Sequence, residues 1–301
     1  MRDGGTEPEG TLLTIRPGTN GLQRPARVAE TCGVAQIRDE RLRDVEWRDL
    51  LPLTRGEVVY ETLITTPWLA GSLIAWHLAG TSHPGFAALA LICAFFFFLT
   101  GLRQVHNAHH YALGLSRRST DLTMLALSIG MMSAMHAIQA THLNHHRHCL
   151  DEDDVEGHAA QRVWWRALLS GPAFAMRLHT SGWMLANAPA RRWIAAEAIA
   201  LAITGVAAAS IDWLPLRAHV ATMIVGQCFT AFFAVWTVHH DCEPTRRIAR
   251  TQRGWLKNLV SYDMFHHIEH HLFPAVPTCH LPELSRRLDR VAPDYRNLTV
   301  Y

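Results

Sequence analysis

Most of the twenty histidines in this 301-residue chain fall in four short clusters. HNAHH supplies His106, His109 and His110, and HLNHHRH supplies His142, His145, His146 and His148. VHHDCE supplies His239 and His240, and HHIEHHLFP supplies His266, His267, His270 and His271. On a helix, residues four apart share a face, so His106 and His110 can point at one ion. His142, His145 and His146 are spaced i, i+3, i+4, and so are His267, His270 and His271; each set makes one imidazole stripe. His109 lies close in angle to the first pair, His266 is spare in the last cluster, and His239 or His240 can add a ninth ligand. Neutral imidazole suits zinc, copper, iron and nickel, and one zinc ion needs only three or four ligands. Eight histidines in strict spacing, with a ninth nearby, therefore predict two metal ions with four or five nitrogen ligands each. Oxygen chemistry at an open, redox-capable pair is the natural use, with iron as the expected metal.

A metal-bound imidazole needs its second nitrogen held by a carboxylate or a carbonyl. Asp241, Asp263, Glu269 and the acidic run Asp151 to Asp154 stand where they could do this. If a helix continues through the segment, Asp263 stacks on the face of His267. His136 and His219, inside apolar segments, read as satisfied polar residues of a bundle. His158, His179 and His280 belong to no pattern and read as surface residues.

The elements that carry these clusters are strongly apolar. Hydrophobic residues make up 49% of the chain and charged residues 18%, a low charged fraction for a soluble protein. Four stretches approach the roughly 20 apolar residues that cross a bilayer: 61–80, 84–102, 193–212 and 217–238. The connections TSH and WLPL are so short that the four pair into two hairpins. Arginine tests the topology: nine lie in residues 1–60, nine in 103–192 and eight after 240, with almost none in the short turns. The positive-inside rule then places both termini and the central loop in the cytoplasm. Residues 122–140 are apolar enough to cross as well, but a fifth span would put the clusters on opposite sides. That segment is therefore expected to be a helix that does not cross. Residues 1–45 hold no sustained apolar run and read as a mobile cytosolic tail ahead of a membrane domain at 46–301. The formal charge of +2 gives no case for nucleic acid, and six cysteines without a CxxC pair suit a reducing compartment.

Over roughly residues 55–290 the chain resembles the membrane fatty acid desaturase/hydroxylase family of histidine-box, di-iron enzymes. HNAHH stands where that family has its HxxxH box, THLNHHRH matches its HxxHH box, and HHIEHHLFP is close to its third box in bacterial acyl-lipid members. The resemblance implies an all-α integral membrane fold of four transmembrane helices in two hairpins, with a cytosolic histidine-rich cap. It carries iron ligation to His106, His110, His142, His145, His146, His267, His270 and His271. Relatives often have a further histidine near an asparagine after the last span. His240 is the expected match, with His239 standing where the asparagine would be. His109 and His266 are extra to the boxes and are expected to support the ligands from behind. The implied reaction activates O2 to take hydrogen from an unactivated C–H bond of an acyl or lipid substrate. Desaturation is the leading expectation, and hydroxylation or ketolation of an acyl or carotenoid substrate the alternative. No fused electron-transfer module is visible, so electrons are expected from a separate ferredoxin or flavin reductase, at a bacterial-type inner membrane. The rival reading is a metal-handling membrane protein. It would put ionisable ligands near the bilayer midplane, whereas these clusters fall at span ends.

Overall fold

The computed structural model describes residues 39–244 and 247–300. Among them the chain is helical, and its β contacts are two isolated bridges, Glu243–Arg247 and Thr251–Thr299. Helix α1 (Arg55–Leu63) starts on a capping box: the Thr54 hydroxyl accepts from Glu57 N, and the Glu57 carboxylate accepts from Thr54 N. This pairing satisfies two orphan donors of the first turn. Helix α2 (Thr66–Thr81) continues it, with proline in the first turn, where its missing N–H costs nothing. Residues 82–85 turn the chain into α3 (Phe86–His109), and Ser72 Oγ donates to Ala90 O where the pair packs. The expected first hairpin is thus Arg55–Thr81 against Phe86–His109, both long and apolar enough to cross a membrane.

Helices α4 (Arg117–Met131) and α5 (Met135–His148) divide the apolar segment expected over 122–140. Met132 takes a left-handed conformation (φ 54°) that ends α4, and the two axes meet at 109°. Two shorter helices, α6 (Trp164–Leu169) and α7 (Gly171–Leu185), lead to α8 (Ala188–Ser210), the third helix of crossing length. Helix α9 (Leu214–Gln227) then bends by 43° into a π-helical turn, Ala231–Trp236, and ends in α10 (Thr237–His239). Three unbroken helices can span a membrane, and up to five segments can if each bent pair counts as one. Their outer faces are apolar: Ile74 on α2, Ile92 on α3, Ile203 and Val206 on α8 and Val225 on α9 are all exposed. Such surfaces suit hydrocarbon, where helices satisfy their own backbone.

The last third carries α11 (Trp255–Ser261), α12 (His267–Leu272) and α13 (Leu281–Val291). Helix α13 buries Leu281, Leu284 and Leu288 along one stripe and exposes Arg286. That stripe joins Ile248, Ile268, Leu272 and Phe273 in one hydrophobic core, while Phe97, Phe98, Met124, Met131 and Met223 form a second core inside the bundle. The tail expected over 1–45 lies outside the described residues as far as 38. From 39 onward that expectation fails: residues 40–44 form a helical turn, Leu42 and Val45 are buried in the core with α13, and Arg41 pairs with Asp39 and Asp294. The two apolar side chains in an otherwise charged stretch were the available signal.

Candidate metal centre

Four elements bring the histidines together. Helix α3 ends in His106 and His110, α5 carries His142, His145 and His146, α10 ends at His239, and α12 carries His267, His270 and His271. The rings sort into two adjoining groups. In the first, one nitrogen from each of His106, His110, His142, His146 and His270 lies within 4.8 Å of all the others. His142 Nε2 is 3.1 Å from His110 Nε2 and 3.2 Å from His146 Nε2, and His270 Nε2 is 2.9 Å from His146 Nε2. In the second, His145, His239 and His271 come together with Cys149. His267 joins them, its Nε2 3.0 Å from that of His239. The stacked rings of His146 and His271, with centroids 4.4 Å apart, mark the border between the groups.

The hydrogen bonds around the rings test whether these groups suit metal. His145 Nδ1 lies 2.7 Å from Asp154 Oδ2, whose carboxyl is held down to about 2 by that imidazole and by the Gly157 and Leu150 N–H groups, against the cost of burial. His239 Nδ1 lies 2.6 Å from the carbonyl of Ile248. Both partners can only accept, so both Nδ1 atoms donate to them and both Nε2 atoms turn into the group. Those two Nε2 atoms lie 3.1 Å apart. At that distance they share one cation, a proton or a bound metal ion. His142 is oriented alike, with Nδ1 3.3 Å from Glu156 Oε1. Burial, and then the neighbouring imidazoles, push His267, His270 and His271 well below the ordinary histidine value of 6.5. They are therefore neutral, the form that binds metal. The residues fit a metal pair.

Two equivalent stripes are held in place by unlike means. The start of α5 is buried at the sharp bend, where its first N–H groups have no helical partner. Side chains from three helices take them: Ala134 N donates to His179 Nε2, Met135 N to Ser128 Oγ, and His136 N to Glu197 Oε2. Glu197, fully buried on α8, also accepts from Ser128 Oγ at 2.8 Å and from His136 Nδ1 at 2.6 Å. Helix α12 is instead held by ions. Glu269 points away from both groups and pairs with Arg253 at 2.6 Å, while Thr251 Oγ1 donates to it at 2.7 Å. Arg253 is itself clamped by both oxygens of Asp289.

Several expected positions move. His240 lies outside both groups: its ring stacks on Trp236 at 4.1 Å and its Nδ1 donates to Trp236 O. His239 occupies the place foreseen for it: α10, which follows a π-helical turn, ends at His239, and the backbone is extended at His240. Asp241 is exposed and, among the described residues, reaches Arg250. Asp263 does not stack on His267, since the helix stops at Ser261 and both Tyr262 and Asp263 adopt positive φ. Glu269 holds the helix rather than a histidine ring. His266 turns toward Asn258, with Nε2 3.0 Å from Nδ2. His109 is buried beside His142, with centroids 5.4 Å apart, and among the described residues neither of its ring nitrogens has a hydrogen-bond partner. Within the acidic run Asp154 holds a ring of the two groups, while Asp151 lies 3.2 Å from Nδ1 of His148, outside them. Glu156, Glu197, His179 and Cys149 were missed; His179 in particular is a cap and no surface residue. Lone residues in apolar segments carried no spacing signal, although a glutamate inside a membrane span is itself a cue. A cavity of about 520 Å³, lined in part by Trp164, Trp236 and His239, opens beside the second group.

An all-helical fold with membrane-length helices and two clustered histidine groups at their ends defines a histidine-rich membrane enzyme class. The chain belongs to the fatty acid desaturase family, whose sequence model matches residues 82–300. It is therefore an oxidoreductase of the wider desaturase/hydroxylase superfamily. It is 28% identical over 248 residues to a beta-carotene ketolase of Paracoccus sp. (strain N81106 / MBIC 01143), which covers 79% of this chain and 95% of the relative. A second beta-carotene ketolase, from Paracoccus sp. (strain PC1), is 28% identical over 257 residues, 78% of this chain and 96% of its own. No solved structure matches.

Proposed function

We propose that this protein is an O2-dependent, di-iron ketolase of a carotenoid-like substrate. The observation that carries the oxidoreductase reading is the convergence of nine imidazoles from four elements into two adjoining groups. The substrate class is supported by the two relatives, whose alignments run through nearly their whole length. When bound, two iron ions would supply activation of O2 for attack on an unactivated C–H bond. His106, His110, His142, His146 and His270 would hold one ion, and His145, His239, His267 and His271 the other. Asp154, Glu156 and the Ile248 carbonyl hold the Nδ1 atoms of His145, His142 and His239, so these rings are oriented before metal arrives. The cavity beside His239 takes the ring end of the substrate between Trp164 and Trp236. The buried walls keep water from the reacting carbon, and position in the cavity selects which CH2 is oxidised.

In the membrane we place four crossings: Arg55–Thr81, Phe86–His109, Ala188–Ser210 and the bent Leu214–His239 segment. The α4–α5 bend stays on the histidine side, and both termini and the centre face the cytoplasm. Electrons come from a separate ferredoxin or flavin reductase. Acyl desaturation is the second reading, favoured by the family match and by the wording of the third box. Expression in a bacterium that accumulates β-carotene, with chromatography and mass spectrometry of pigments and fatty acids together, separates the two. Ketolation gives pigments that gain one oxygen and lose two hydrogens per modified ring, only in air. New unsaturated fatty acids with unchanged pigments would favour desaturation. No change in either would reject both readings for substrates present in that host.

A further inference from the structure

Cys149 closes the second histidine group. It follows His145 by four residues at the end of α5, so helical stacking lays its side chain over that ring. The thiol is buried, with its sulfur 4.0 Å from His145 Nε2 and within 4.8 Å of the ligand nitrogens of His239 and His271. One backbone atom orients both neighbours: the Ile248 carbonyl accepts the Nδ1–H of His239 and, at a longer 3.8 Å, the S–H of Cys149. In the same group His271 Nε2 is buried with no hydrogen-bond partner.

We propose that Cys149 supplies a sulfur ligand to the ion gathered by His145, His239, His267 and His271. This rests on the reading above that the two groups hold metal. The pair then consists of one ion with five nitrogen ligands and one with four nitrogens and a thiolate. Charge supports the assignment. Among the described residues, neither group contains a carboxylate. Nine neutral imidazoles would leave two divalent ions without a contacting anion in a buried site, where unpaired charge is expensive. Asp154 and Glu156 stand one imidazole away. A coordinating thiol is deprotonated outright, so ligation breaks the S–H bond, forms a metal–sulfur bond and releases one proton to water. No redox change is involved.

The test uses the full-length protein in detergent, loaded with Fe(II) or separately with Co(II), as wild type and as Cys149→Ala and Cys149→Ser. X-ray absorption of the wild type should show a sulfur scatterer at roughly 2.3 Å, the usual metal–thiolate distance. The cobalt form should show a near-ultraviolet sulfur-to-metal charge-transfer band. Both signals should fall to background in both variants. Metal analysis separates the possible failures. Two ions per chain with no sulfur signal in the wild type would overturn the ligand and leave the proposed function standing. A sulfur signal that persists in the variants would also overturn it, by assigning the scatterer to another residue. Failure of the wild type to bind a metal pair would overturn the ligand together with the reading it rests on. If the variants misfold, the wild-type sulfur shell still decides.

Discussion

Helices α5 and α12 carry the same i, i+3, i+4 histidine stripe and hold it by different physics. Helix α5 begins inside the bundle, where water cannot finish its hydrogen bonds. Its first donors are taken by neutral or bridging groups on α4, α7 and α8: Ser128, His179 and Glu197. Helix α12 lies in the part of the chain with its own leucine-rich core, and its anchor is the ion chain Asp289–Arg253–Glu269. The difference teaches that a motif specifies which atoms meet the ligand and leaves its support to the surroundings. Near hydrocarbon the support is a cap, because an unmet donor there is costly. Where solvent is closer, a charge pair with one partly exposed end serves.

The sharpest way to break this comparison acts on the site both helices share. His239→Ala should remove the second ion and abolish product formation, while His240→Ala should leave the bound metal at the wild-type count. Metal analysis of the two purified variants checks this, and equal losses would return the ninth place to either residue. Next in size is the ionic anchor. Arg253→Leu strands the buried Glu269 carboxylate and should cost about 3–5 kcal/mol, read as a lowered denaturation midpoint in detergent. The apolar cap should cost less. Glu197→Leu leaves the backbone N–H and Nδ1–H of His136 unmet, while Ser128 Oγ keeps the Met124 carbonyl, for a loss of about 1–3 kcal/mol, and hydrogen exchange should accelerate at the start of α5 and not in α12. If Glu197→Leu instead loosens α12 equally, the two supports are one unit and the comparison fails.

Acid should discriminate too. His267, His270 and His271 are held neutral well below 6.5, and His266 falls to about 3, with burial the main cause in each. Below pH 6.5 these groups take up protons in the unfolded chain that the folded one refuses, so their contribution to stability is complete above that value and declines as pH falls toward 3. The slope is about 1.4 kcal/mol per pH unit for each such group. Thermal melts of metal-free protein between pH 7 and pH 4 should show the decline, and bound metal should oppose it. The smallest effect belongs to Ser128→Ala, about 1 kcal/mol, since Met135 N loses its acceptor while Glu197 keeps His136.

By itself the sequence determined the histidine clusters, the stripes on α5 and α12 and the apolar segments that carry them. Spacing along one helix is local geometry, and a run of apolar residues needs no partner to be recognised. The sequence also set residues 122–140 apart as a helix expected not to cross, by requiring the clusters to share one membrane face, but it did not show the bend that divides that segment. Tertiary structure decided what depends on residues distant in sequence. His239 stands in the site and His240 outside it because α10 ends at the first and the backbone is extended at the second. Asp154, Glu156 and Ile248 became ring anchors through loop paths that no periodicity encodes. Glu197 and His179 became caps only when a 109° bend exposed the start of α5 to them. Cys149 reads as one more buried thiol until His239, ninety residues later, closes on the same point.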